Sequence, residues 1–127
     1  MIRVALSDDS PEMRVTLRLL LGLSENIEVV CETSNGQEAV ECVKNLQPDV
    51  LVMDIRMPLL NGFEATKAII DLAVPTRVIL ISADLGSFIA KQAATVGAKG
   101  FVPKDDVVTS LLVAIETVHR GERFFME

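Results

Sequence analysis

The feature that most limits the fold is an alternation. Five short β-branched or aliphatic runs recur along the chain, "IRVALS" (2–7), "IEVVCET" (27–33), "DVLVM" (49–53), "RVILIS" (77–82) and "KGFVP" (99–103), and a helical pattern follows each. Ser10 and Pro11 supply N-cap and first-turn chemistry for a helix over roughly 11–23, with Met13, Leu17, Leu20 and Leu21 on one face. Asn35 and Glu38 have the spacing of a capping box ahead of Ala39, Val40, Val43 and Leu46. Further helices are predicted over about 62–72 and about 87–96, and a fifth from near Asp106 that turns Leu111, Ile115 and Val118 inward. Strict alternation of strands and helices makes βαβ units, hence parallel strands joined by right-handed crossovers. The runs "VLVM" and "VILI" are apolar at every position, as strands covered on both faces require. The prediction is a doubly wound (βα)5 α/β domain.

The totals narrow the class. With 127 residues, half of them hydrophobic, the chain is one domain with enough apolar mass for a core, and disorder is excluded. A net charge of −6 with no Lys/Arg cluster excludes a nucleic-acid surface, because phosphate contacts need a basic patch. Cys31 and Cys42 have neither metal-ligand spacing nor a secretory context, and read as buried thiols of a reducing compartment. The start "MIRVALSDDS" has too short an apolar run for a signal peptide, and no later run reaches the length of a membrane span. A cytoplasmic domain with no membrane partner is expected.

Open parallel sheets bind ligands outside the carboxyl ends of their strands. There this chain places Asp8 and Asp9 after the first strand, Asp54 after the third, Ser82 at the end of the fourth and Lys104 after the fifth. Taken singly, Asp8 and Asp9 read as caps of the first helix, Lys104 as a solvated loop residue, and Ser82 says nothing. Together, at strand ends of one polarity, they point to a site. Three carboxylates about 5 Å apart repel by roughly 3 kcal/mol per pair at an effective dielectric near 20. One lysine does not neutralise them, so either a carboxylate holds a proton or a cation joins the cluster. Hard oxygen ligands with no histidine or cysteine nearby point to Mg²⁺, an ion that keeps open positions for water and phosphoryl oxygens. Asp54 is then a candidate nucleophile able to form an acyl phosphate, with Lys104 and Ser82 contacting the phosphoryl oxygens.

"SDDS" after the first strand, "MDIRMPLLNG" around Asp54, "ISAD" after the fourth strand and "GAKGFVPKDD" near the end together resemble the receiver domain of two-component response regulators over essentially the whole chain. The resemblance implies a flavodoxin-like five-stranded parallel sheet of order 2-1-3-4-5 with helices on both faces. It implies that Asp54 is the phosphoacceptor of a sensor histidine kinase. Asp9, Asp54 and the backbone carbonyl of Arg56 would bind Mg²⁺, with Asp8 acting through water. Lys104 would pair with the phosphoryl group, Ser82 would move toward it, and Phe101 would be the aromatic rotamer switch; in plain structural terms Phe101 is a core strand residue. Asp105 stands where many receivers carry proline after the lysine. That Lys-Asp ending resembles the NarL/FixJ subgroup, with its LuxR-type helix-turn-helix. The expected division is a receiver over 1–120 and a tail or linker over 121–127, leading to an output domain that this sequence does not contain.

Function is accordingly expected to be a switch that catalyses only its own phosphoryl transfer and dephosphorylation, with transcription as the output. A stand-alone receiver working by protein contact or phosphorelay is the alternative. A Mg²⁺-dependent aspartyl-phosphate phosphatase would want a second aspartate where Arg56 stands. A flavodoxin-like cofactor binder would want a phosphate-cradling loop in place of the acidic "SDDSPEM". Arg56 and Asp84, each two residues beyond a site residue, are expected to approach over the pocket mouth and slow hydrolysis. Val15, Leu19 and Leu23 on the first helix, with Leu112 on the fifth, are surplus apolar surface and predict a symmetric homodimer through helices one and five.

Overall fold

The computed structural model describes residues 1–84 and 86–126. Strands β1 (Ile2–Ser7), β2 (Ile27–Thr33), β3 (Val50–Asp54), β4 (Arg77–Ser82) and β5 (Gly100–Pro103) alternate with helices α1 (Pro11–Leu21), α2 (Gly36–Leu46), α3 (Gly62–Asp71), α4 (Ser87–Thr95) and α5 (Val107–His119). The five strands are parallel in the expected order β2-β1-β3-β4-β5.

The sheet nevertheless has six strands, which corrects the expected five. Phe124–Phe125 form β6, parallel to β5. The reason is local. Helix α5 carries the chain back to the start of β5, so a further extended segment pairs parallel there, and adjacent side chains on a strand face opposite ways. Phe124 packs against the core beneath α1 and α5, and Phe125 against the core beneath α2, α3 and α4. The tail expected over 121–127 is thus part of the sheet edge as far as Met126, and Glu127 lies outside the described residues.

The two cores follow strand alternation. Val50, Val52, Ile79 and Ile81 meet Leu17, Leu21, Leu111 and Ile115 on one side. Leu51, Met53, Val78 and Leu80 meet Val43, Ile69 and Ala93 on the other. All five residues of β3 are buried, so burial worth about 1.5–3 kcal/mol per large side chain fixes the strand that ends in Asp54. Among the described residues no helix is long and apolar enough to cross a membrane.

The starts of α1, α2 and α3 follow side-chain caps, whereas α4 and α5 have none. Ser10 Oγ accepts from Met13 N at 3.2 Å, and Asn35 Oδ1 from Glu38 N at 2.9 Å. The box predicted at Asn35 is only half made, because Glu38 accepts instead from Ser34 N. A complete box closes at α3, where Asn61 and Glu64 exchange backbone bonds of 2.9 and 3.0 Å. Leu46, expected inward, is 41% exposed because it is the last residue of α2.

Gly62 opens α3 against the backbone of the site strand. A Cβ there would lie 2.6 Å from the Asp54 carbonyl oxygen and 2.8 Å from Ile55 Cα. Neither atom can give way without moving Asp54. Gly62→Ala is therefore expected to lose about 2–3 kcal/mol in urea unfolding; a variant as stable as the parent contradicts this close approach.

Candidate functional site

Chain order reverses between β1 and β3, and such a reversal opens a crevice beyond the strand ends. Asp8 follows β1, Asp54 ends β3, and Lys104 opens a single 3-10 turn (Lys104–Asp106) after β5. Lys104 Nζ lies 3.0 Å from Asp8 Oδ2 and 3.3 Å from Asp54 Oδ2. Asp8 and Asp54 are buried while Asp9 is exposed at the mouth. One carboxylate oxygen from each of Asp8, Asp9 and Asp54 lies within 4.8 Å of the others.

Asp8 is held from several sides. Its Oδ1 accepts from Ser10 N at 2.9 Å, and its carbonyl accepts from the Arg14 guanidinium at 2.6 Å. Arg14 was not legible as a site residue, since a basic residue in a first helical turn reads as surface. Asp8 Oδ2 is the fully buried side-chain acceptor that, among the described residues, lacks an aligned hydrogen-bond donor, although Lys104 stands at ion-pair distance.

Burial raises the pKa of Asp54 above the ordinary carboxylate value, and the neighbouring Asp8 charge adds to it; Lys104 and the Arg56 backbone N–H pull it partly back. Burial works against the Lys104 charge, but Asp8 and Asp54 outweigh it and raise its pKa. The lysine thus stays charged, and burial works against the ionised form of Asp54. One ammonium against three carboxylates leaves negative charge uncompensated. An all-oxygen set, with one member open to water and one buried oxygen short of a donor, fits a hard divalent cation such as Mg²⁺. The thiols lie elsewhere, in a groove between β2 and α2. Burial, reinforced by Cys31, pushes the Cys42 thiol up to about 12, so it stays protonated and inert.

The other predicted residues are placed as follows. Ser82 is buried at the end of β4, with its hydroxyl accepting from Asp84 N at 2.9 Å, so it is engaged by its own loop. Phe101 is 1% exposed, inside the core beneath α2, α3 and α4. Arg56 and Asp84 do approach, as an ion pair of 2.7 Å with the Arg56 side chain exposed and that of Asp84 half-exposed. With Asp9 they line a hollow of about 660 Å³ floored by Ile55, Met57, Phe63 and Ile89. The segment "RMPLLNG" after β3 also contributes to packing. Met57 is buried and its sulfur accepts from the Ser7 hydroxyl at 3.3 Å. Leu60 N donates to Pro58 O at 2.8 Å across Leu59, whose φ of +69° is a strained value for leucine.

This chain matches the response regulator receiver domain family over residues 4–116. It belongs to that family. The receiver is 38% identical over 121 residues to the transcriptional regulatory protein LnrK of Bacillus subtilis, covering 95% of this chain and 55% of LnrK. It is 38% identical over 120 residues to the transcriptional regulatory protein NarL of Mycobacterium tuberculosis, covering 94% and 56%. The chain thus spans about half the length of these curated relatives. Its structure superposes on the signal receiver domain of that NarL with a TM-score of 0.91 at 37% identity, covering 95% of this chain and 98% of the other. It superposes on the response regulator domain of Thermotoga maritima CheB at 0.87 and 38% identity, covering 94% and 97%. The family read from the four motifs is therefore borne out, and the receiver is close to the NarL/LuxR transcriptional regulators.

Proposed function

We propose that this receiver is a phosphorylation-controlled switch in which Asp54 accepts a phosphoryl group from a sensor histidine kinase. The observation that carries the reading is a buried carboxylate fixed at the end of a buried strand, 3.3 Å from the Lys104 ammonium and beside two further carboxylates. An Asp54 oxygen attacks phosphorus as the P–N bond to the donor imidazole breaks, and the imidazole leaves with a proton from solvent. Strand β3 holds the nucleophile in line, and the Lys104 ammonium takes charge on one phosphoryl oxygen. Ser82 Oγ, which accepts from Asp84 N, donates its own proton to another, and Phe101 turns as the strand ends adjust. Asp9, Asp54 and the Arg56 carbonyl would hold Mg²⁺, with Asp8 acting through water; when bound, the ion neutralises phosphoryl charge. Incubation with acetyl phosphate and Mg²⁺, followed by intact mass, is expected to show one added phosphoryl group that EDTA prevents. No adduct would overturn the reading.

The rim sets a lifetime. The Arg56–Asp84 pair is exposed and adds little stability, so its effect is kinetic: it stands where attacking water must pass. Arg56→Ala is expected to lose its phosphoryl group several-fold faster, and an unchanged rate sinks the idea.

The switch controls transcription through a DNA-binding region of a longer, cytoplasmic regulator, as the relatives' names and length suggest. With a charge of −6 the receiver itself makes no nucleic-acid contact. A symmetric homodimer is the second partner. Val15, Leu19 and Leu23 are 42%, 67% and 77% exposed. On α5 the expectation changes, because Leu112 packs into the core while Val108 and Val113 stand exposed. Sedimentation with Mg²⁺ and beryllofluoride is expected to show a dimer, and a monomer with and without them rules it out.

A further inference from the structure

The C-terminal strand is the part of the fold that the phosphoacceptor chemistry leaves unused. Phe124 N donates to Lys99 O and Met126 N to Phe101 O, both at 3.0 Å. Two such bonds alone hold a two-residue edge strand only weakly, so the docked position depends on side chains. Phe124 and Phe125 enter opposite cores, and the Arg123 guanidinium lies 4.8 Å from the centre of the Phe125 ring. The receiving strand is shaped for it. A Cβ on Gly100 would stand 3.0 Å from the Phe124 carbonyl oxygen.

The docked tail bears on both elements that carry site groups. Phe125 is the register partner of Phe101, and Lys104 follows three residues later, directly after the end of β5. On the other side Phe125 and Arg123 share a hollow of about 290 Å³ with Ala90 and Ala94 of α4. Helix α4 is loosely set. Its N-terminus has no side-chain cap, and only Ala90 and Ala93 are buried. Ahead of it in the chain, the Ser82 hydroxyl is turned to Asp84 N.

We propose that β6 is a strap that holds β5 and α4 in the resting arrangement and loosens when a phosphoryl group occupies the crevice at Asp54. The inference rests on Asp54 being the phosphoacceptor. Ser82 Oγ accepts from Asp84 N and keeps its own proton to donate, so a turn toward a phosphoryl oxygen draws the Asp84 backbone, and with it the approach to α4, along. Lys104 is drawn toward the same group and takes the end of β5 with it. Phe125 is braced between these two elements and loses its seat when they shift apart, the alanine face and the hollow beside it leaving room for the movement. Linkage makes the effect reciprocal: by whatever factor occupancy weakens the docked tail, weakening the tail favours occupancy.

The test uses the intact chain with Mg²⁺ and beryllofluoride as the phosphoryl mimic. Amide hydrogen exchange at Phe124 and Met126 is expected to speed up about fivefold or more on binding, while Val52 in β3 keeps its protection. Phe125→Ala, at a half-buried position, is expected to bind beryllofluoride more tightly by the same factor. Bound beryllofluoride with unchanged exchange at Phe124 and Met126 overturns the strap, as does a Phe125→Ala affinity equal to or below the parent's. Failure of the parent to bind the mimic at all overturns the phosphoacceptor reading and the strap with it, and shows as a melting temperature that the mimic does not move.

Discussion

Asp54→Asn is expected to take up no phosphoryl group from acetyl phosphate and, with metal withheld, to melt above the parent. The first effect follows because an amide oxygen is no nucleophile toward phosphorus. The second follows from the electrostatics. Ionised Asp54 is buried beside Asp8, with Lys104 compensating only in part. The neutral amide removes that repulsion, a gain of about 1–2 kcal/mol or ~5 °C. The carboxyl holds its proton more tightly in the folded chain than in the unfolded one. Its contribution to stability is therefore fully present below its ordinary pKa of about 3.9 and is lost as pH rises through the folded-state value. The advantage of the Asn variant should open as pH rises above about 4 in a series of thermal melts. Millimolar Mg²⁺ should raise the parent more than the variant and narrow the gap. A parent that melts with or above Asp54→Asn across that range, in EDTA, removes the argument that the cluster needs a cation.

What the sequence revealed and what it hid divide along physical lines. Positions at the ends of parallel strands are fixed by topology, so Asp8, Asp9, Asp54, Ser82 and Lys104 could be gathered at one edge from the strand runs alone. The approach of Arg56 to Asp84 was readable for the same reason, each lying two residues past such an end. The sixth strand was not readable, because two residues carry no periodicity, and only the adjacency of Phe124 and Phe125 hinted that the tail had somewhere to go. Leu112 stood beyond the stripe drawn through Leu111, Ile115 and Val118, yet it packs inward because α5 borders α1 as well as the sheet. Side-chain direction was also out of reach. Nothing in "ISAD" says that the Ser82 hydroxyl faces Asp84 N, and nothing in "RMPLLNG" says that Met57 tucks under Ser7. Such details are set by which donor lies nearest in three dimensions.

Lys104→Met should be the most damaging single change in the crevice. The methionine keeps the apolar stem but leaves Asp8, fully buried, and Asp54, nearly so, without their common cation. Breaking a buried pair by removing one partner costs about 3–5 kcal/mol when the other charge stays. Here Asp54 can escape part of that cost by taking up a proton, so about 3 kcal/mol, or ~10 °C in melting temperature, is expected near pH 7.5 in EDTA. The loss should shrink as pH falls and Asp54 gains its proton. The parent shows the complementary limit. Its Lys104 pKa is raised by the two carboxylates, so the contribution is fully present below the ordinary value of about 10.4 and is lost as pH climbs through the folded-state value. The double variant Lys104→Met with Asp54→Asn separates charge from packing. If the ion pair carries the effect, removing the Asp54 charge restores part of the stability lost with Lys104, and the two changes are far from additive. If instead the lysine stem merely fills space, the double variant falls by the sum of the single changes, and the loss at Lys104→Met does not depend on pH.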